Sequence, residues 1–179
     1  LVFVCYILLS CGFLLIIFFH PCSLRHDEVL GEIVKCCQEL KGARVYAELP
    51  DIFTPLDRPR YYREWEQVYK RDCIVEMPKA IYVLELTVPF ESNVSKRHIE
   101  KSRKYVSLPT RYAPLADGKP IKVFCVEVGV RGLLAPSVSQ LREFLPRKQL
   151  KLLKRNMAQT AIRASQLIFQ RREEKLWAD

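Results

Sequence analysis

Apolar and polar positions divide the chain into stretches of different period. Residues 1–19 form an apolar run without charge, interrupted only by Ser10 and Gly12. Over 25–40, Val29, Ile33 and Cys37 fall on one stripe with Leu30, Val34 and Leu40 beside it, which predicts a core-facing helix ended by Lys41-Gly42. Ala43 to Leu49 reads as a strand, and 50–70, broken by Pro50, Pro55 and Pro59, as a loop. Two short runs rich in Ile, Val, Tyr and Leu follow, 72–76 and 81–88, joined by a proline-containing turn; they predict a β-hairpin. Residues 93–106 read as a polar helix capped by Ser92 or Asn93, and 108–120 as turns. Ile121 to Val128 reads as an interior strand, apolar on both faces apart from Lys122 and Glu127. From Pro146 to Trp177, Leu150, Leu153, Met157, Ala161, Ala164 and Ile168 recur at spacings of three and four, as in an amphipathic helix laid on a sheet. The order helix, strand, hairpin, helix, strand, helix predicts an α/β fold, a mixed α+β sheet flanked by helices.

The hairpin carries the first chemistry. If Glu76 and Ile81 close it, Asp72 lies opposite Glu85 on one face, with Cβ atoms roughly 5 Å apart. Like charges so placed need a cation between them or a proton on one of them. Two hard carboxylates suit Mg²⁺ or Mn²⁺. The bland alternative is one solvated carboxylate at a sheet edge and the other paired with a Lys or Arg. On the following helix, Arg97, Lys101, Lys104 and Tyr105 share a face, so a strand ending in a carboxylate leads at once into a cationic helix. That face is either solvated or turned to the carboxylates, where an ammonium would stabilise charge developing on a phosphate.

Asp72, the run Glu85-Leu86-Thr87-Val88-Pro89-Phe90-Glu91 and the run Lys101-Ser102-Arg103-Lys104-Tyr105 together resemble the restriction-like endonuclease domain found near the C-terminus of some non-LTR retrotransposon polyproteins. That domain belongs to the PD-(D/E)XK nuclease superfamily, in a form whose lysine has moved from the strand to the next helix. Arg25 to Leu30, Val45 to Pro50, Val126 to Gly132 and Ala161 to Ser165 extend the resemblance over roughly residues 25–178. It implies a restriction-endonuclease-like core, with Asp72 and Glu85 as metal carboxylates and the Leu86 carbonyl as a third ligand. It implies Lys101 as catalytic lysine with Lys104 as the alternative, Tyr105 in support, Mg²⁺ or Mn²⁺ as cofactor and the DNA phosphate backbone as partner. Two positions depart from the family: Arg71 stands where a proline usually precedes the aspartate, and Thr87 where the simple superfamily pattern has its lysine. An inactive, nucleic-acid-binding or membrane-anchored remnant is therefore the alternative to a working endonuclease.

Charge agrees with a polyanionic partner: 29 Lys and Arg against 20 Asp and Glu give a net +9, which suits a phosphate backbone or an anionic membrane equally. Arg58, Arg60, Arg63 and Lys70 alternate with Tyr61, Tyr62, Trp65 and Tyr69, the mixture that a single-stranded nucleic acid contact uses, or simply the cover of a sheet edge. The last helix carries Lys148, Lys151, Lys154, Arg155, Arg163, Arg171 and Arg172 opposite its apolar stripe. The seven cysteines show no CxxC pair or His-partnered spacing, which argues against a zinc site and a disulfide framework and for reduced thiols. Glu32 and Glu48 are further candidate acids, each also explained as an ordinary surface glutamate.

Residues 1–19 are just long enough to cross a hydrocarbon layer as a helix, about 20 being typical. They divide the chain into a transmembrane anchor or gene-model artefact at 1–24 and a nuclease-like domain at 25–179. If the anchor is genuine, the basic domain is expected on the cytoplasmic side of the membrane; otherwise the protein is expected to be nuclear or cytoplasmic.

Overall fold

A computed structural model describes residues 3–8, 14–19, 21–47, 49 and 72–176. Strands β1 (Phe3–Leu8) and β2 (Leu14–Phe19) pair antiparallel in a two-stranded sheet of their own. This corrects the expected transmembrane helix. Each half of the apolar run is rich in β-branched and aromatic residues, which lose rotamer freedom in a helix and suit a pleated surface. Ser10 and Gly12, the two interruptions, lie between the strands. Among the described residues no helix is long and apolar enough to cross a membrane.

Helix α1 (Pro21–Gln38) leads into β3 (Arg44–Ala47), β4 (Cys73–Glu76) and β5 (Ile81–Thr87). After a 3₁₀ turn at Glu91–Asn93 come α2 (Val94–Tyr105), the short α3 (Leu108–Tyr112), β6 (Ile121–Glu127), a 3₁₀ segment at Pro136–Glu143 and α4 (Arg147–Leu176). The four strands stand in the order β3-β4-β5-β6. The first three form an antiparallel meander and β6 runs parallel to β5, so α2 and α3 make the crossover that a parallel pair requires.

Period-two alternation sends the sheet's side chains to two cores. Val45, Cys73, Val75, Leu84, Leu86 and Val126 lie beneath α1 and α4, joined by Ile33, Leu153 and Met157 from those helices. Tyr46, Ile74, Ile81 and Val83 face Tyr105, Leu108 and Tyr112 of α2 and α3. The apolar stripe expected on the last helix is buried along its length. β6 is an end strand of the order rather than an interior one; its apolar faces are explained by helices covering both sides. Glu48 and residues 50–70 lie outside the described residues.

Candidate active site

The hairpin closes as its residues dictate, with Glu76 paired to Ile81 and Cys73 to Leu84. Asp72, one residue before β4, is thereby set against Glu85, the partner of Cys125 on the other side. Asp72 Oδ2 accepts the Leu86 N–H at 2.7 Å, which ties the acid to the opposite strand. In an extended strand the N–H and C=O of one residue point to the same side, so the Leu86 carbonyl also faces the Asp72 edge.

Glu85 lies on the α2 side of the sheet and is only 2% exposed. α2 runs back over β5, and its Lys101 places an ammonium on Glu85 Oε1. Burial raises the Glu85 pKa and the charge of Asp72 adds to the rise; Lys101 and Tyr105 pull it the other way. Glu85 Oε2 is buried with no hydrogen-bond partner. Tyr105 is 1% exposed, and its hydroxyl accepts from Lys104 Nζ at 2.9 Å. Burial, then the Glu85 carboxylate, pushes the Tyr105 phenol far above its ordinary range, so it remains protonated and a donor.

The structure thus brings together Asp72, Glu85, Leu86, Lys101 and Tyr105, and holds Lys104 one step away on the tyrosine oxygen. Arg97 turns to Glu100 at 2.8 Å instead of the carboxylates. Glu32 accepts a hydrogen bond from Asn156 of α4 at 3.0 Å. Among the described residues, no three His, Cys, Asp or Glu side chains cluster as a metal site. The donor set is instead two carboxylates and a main-chain carbonyl, all hard oxygens, with the orphaned Glu85 Oε2 among them. That set fits Mg²⁺ or Mn²⁺, which take few protein ligands and keep their own waters.

Two histidines enter the picture that sequence spacing did not single out. His26 of α1 sits between two acids, with Nδ1 2.9 Å from Asp27 and Nε2 3.2 Å from Asp72 Oδ2. Burial disfavours its cation, but hydrogen bonds and charge from Asp27 and Asp72 outweigh that and raise its pKa to about 10. On α2, His98 Nδ1 lies 3.0 and 3.1 Å from the two carboxylate oxygens of Glu127, a residue at the end of β6 that is 1% exposed. Ser137 donates its hydroxyl to the same carboxylate. Beside this group α2 and residues 135–140 line a cleft of about 490 Å³. Apart from Asp27, the neighbour of His26 on α1, the partners come from different elements at long separation, and the sequence signal for the second group was Glu127, one of two charged residues with Lys122 in the strand. No family model matches the chain, and no curated protein matches it.

Proposed function

We propose that the chain is a metal-dependent DNA endonuclease domain of the restriction-like kind carried by non-LTR retrotransposons, hydrolysing phosphodiester bonds. One observation carries the reading: Lys101 reaches a buried Glu85 that stands beside Asp72 and keeps one oxygen without a partner. Two acids side by side in a dry site raise each other's proton affinity, and a cation shared between them relieves that cost. The run of helix, three-stranded meander, crossover helix and parallel strand suits the restriction-endonuclease-like core that the motifs imply.

Asp72, Glu85 and the Leu86 carbonyl would hold Mg²⁺ or Mn²⁺. Bound there, the ion supplies a lowered pKa for water and neutralises charge on the scissile phosphate. Lys101, on the Glu85 oxygen, orients the attacking water and offsets negative charge as it develops. Tyr105 donates toward Glu85 and fixes its rotamer, while Lys104 holds the tyrosine oxygen from outside. Leu86 N–H keeps Asp72 aimed across the hairpin. The net charge of +9 draws the polyanion in.

His26 favours a second reading. As a cation on Asp72 it competes with a metal for that carboxylate, which is what an inactive remnant that only binds nucleic acid would tolerate. Supercoiled-plasmid nicking by the full chain separates the two. The expected result is cleavage with Mg²⁺ or Mn²⁺, none with EDTA, and a loss of at least about 100-fold in Asp72→Ala and Lys101→Ala. No nicking by folded wild-type protein that still binds duplex DNA would overturn the endonuclease and leave the binding remnant.

A further inference from the structure

The polar surface beneath α2 does not stop at Lys101. Positions 98 and 101 are one helical turn apart, so His98 stands beside Lys101 with Cβ atoms about 5–6 Å away. In the parallel register Glu85 pairs with Cys125 and Thr87 with Glu127, so Glu85, Thr87, Cys125 and Glu127 share one face of the sheet. Glu85 has Lys101 above it and Glu127 has His98. Between them the Thr87 hydroxyl oxygen is buried without a hydrogen-bond partner.

Burying a carboxylate is costly unless it is fully bonded, and Glu127 is bonded on both oxygens by His98 and on one by Ser137. That arrangement fixes the imidazole: Nδ1 carries the hydrogen directed at Glu127, and Nε2 is left for chemistry. The His98 side chain is 39% exposed, and the ring lines the 490 Å³ cleft together with Val94, Ile99, Pro136 and Gln140. That volume lies in the range of small-ligand clefts, and Val94, Ile99, Ala135 and Pro136 give it an apolar wall against which a nucleobase could lie. A dyad of buried acid and half-open imidazole at the mouth of such a cleft is built to move a proton.

We infer that His98 is a proton donor in phosphodiester cleavage, passing its Nε2 hydrogen to the sugar oxygen that leaves phosphorus while the adjacent cleft receives the terminal nucleoside of the departing strand. The inference rests on the endonuclease reading. In an in-line displacement the entering and leaving oxygens lie on opposite sides of phosphorus. Lys101 over Glu85 attends the entering side and His98 over Glu127 the leaving side. The water oxygen forms its bond to phosphorus and gives one proton to solvent. The bond from phosphorus to the sugar oxygen breaks, that oxygen takes the Nε2 proton, and the imidazole regains a proton from solvent. Glu127 holds the ring throughout by its Nδ1 hydrogen.

A leaving thiolate needs no proton, and this gives the test. The full chain and its His98→Ala, His98→Asn and Glu127→Gln variants are compared on a duplex with an ordinary phosphodiester and on two with a single bridging sulfur, replacing either the 3′ or the 5′ oxygen. On the ordinary duplex the His98 variants are expected to lose about 100-fold or more, the scale of general acid catalysis. On the sulfur duplex whose sulfur is the leaving atom they should return to within about tenfold of wild type, with Glu127→Gln following the same pattern more weakly. Equal losses on all three duplexes would overturn the proton transfer while leaving the nuclease intact. Failure of the wild-type chain to cleave any of them would overturn it together with the endonuclease reading.

Discussion

Replacing Lys101 by Met removes the ammonium from Glu85 and keeps most of the side-chain volume. The carboxylate left behind is 2% exposed and faces Asp72, whereas Lys101 is 30% exposed, so only one partner of the pair loses water completely. Breaking a buried ion pair costs about 3–5 kcal/mol; the accessible lysine puts this one at the lower end, about 3 kcal/mol. For a chain of this size that lowers Tm by roughly 6–12 °C at pH 8. The loss depends on pH in a defined direction. Burial and Asp72 raise the Glu85 pKa above 4.5 even with Lys101 present, and deleting the cation raises it further. In that window the folded chain binds more protons than the unfolded one, so stability falls as pH rises. Protonated Glu85 needs no cation, hence the defect shrinks as pH is lowered toward 4.5. Thermal denaturation followed by circular dichroism from pH 5 to pH 8 in EDTA measures the difference between variant and wild type. A deficit of equal size at both ends, or no deficit at pH 8, would refute the argument that Lys101 neutralises a buried acid.

Two further outcomes follow from neighbouring contacts. The His26 pKa of about 10 means that its cation stabilises the fold fully below the unfolded value of 6.5 and progressively less as pH rises to about 10; the Tm gap between wild type and His26→Gln in EDTA should therefore be widest near pH 6 and close by pH 10. At Gly132, φ is +84° and an added Cβ would stand 2.9 Å from the Ile162 side chain and 3.0 Å from the Ala158 carbonyl of α4. Gly132→Ala should cost about 1–3 kcal/mol, read as a lower urea midpoint with unchanged slope.

Fold and site are legible along the chain wherever one hairpin or one helix decides the outcome. The Glu76–Ile81 closure follows from a short turn between two apolar strands, and with it the meeting of Asp72 and Glu85. The three- and four-residue spacing on α2 put Lys101, Lys104 and Tyr105 on one face, and the structure keeps Lys101 and Tyr105 at the acid. Arg97 escaped because Glu100 on the same helix takes it. The N-terminal run misled because a long apolar stretch satisfies both a membrane helix and a pair of strands by length alone; its Val, Ile, Phe and Tyr content was the discriminating signal. His26 and His98 were invisible for another reason. His26 on α1 meets Asp72 beside β4, and His98 on α2 meets Glu127 on β6; only the contact of His26 with Asp27 joins chain neighbours, and no spacing along the chain records the other two.

The two halves of the site are set by separate coordinates. Strand pairing fixes the acids Asp72, Glu85 and Glu127, while the seating of one helix fixes Lys101 and His98. Adding a single residue inside the first turn of α2, ahead of His98, would turn the rest of the helix by about 100° relative to that turn and carry Lys101 and His98 away together, with every carboxylate still in register. Shortening Lys101 or lengthening it to Arg would shift the reach of one group and leave the sheet alone. Acid spacing and cation reach can thus vary independently within one fold.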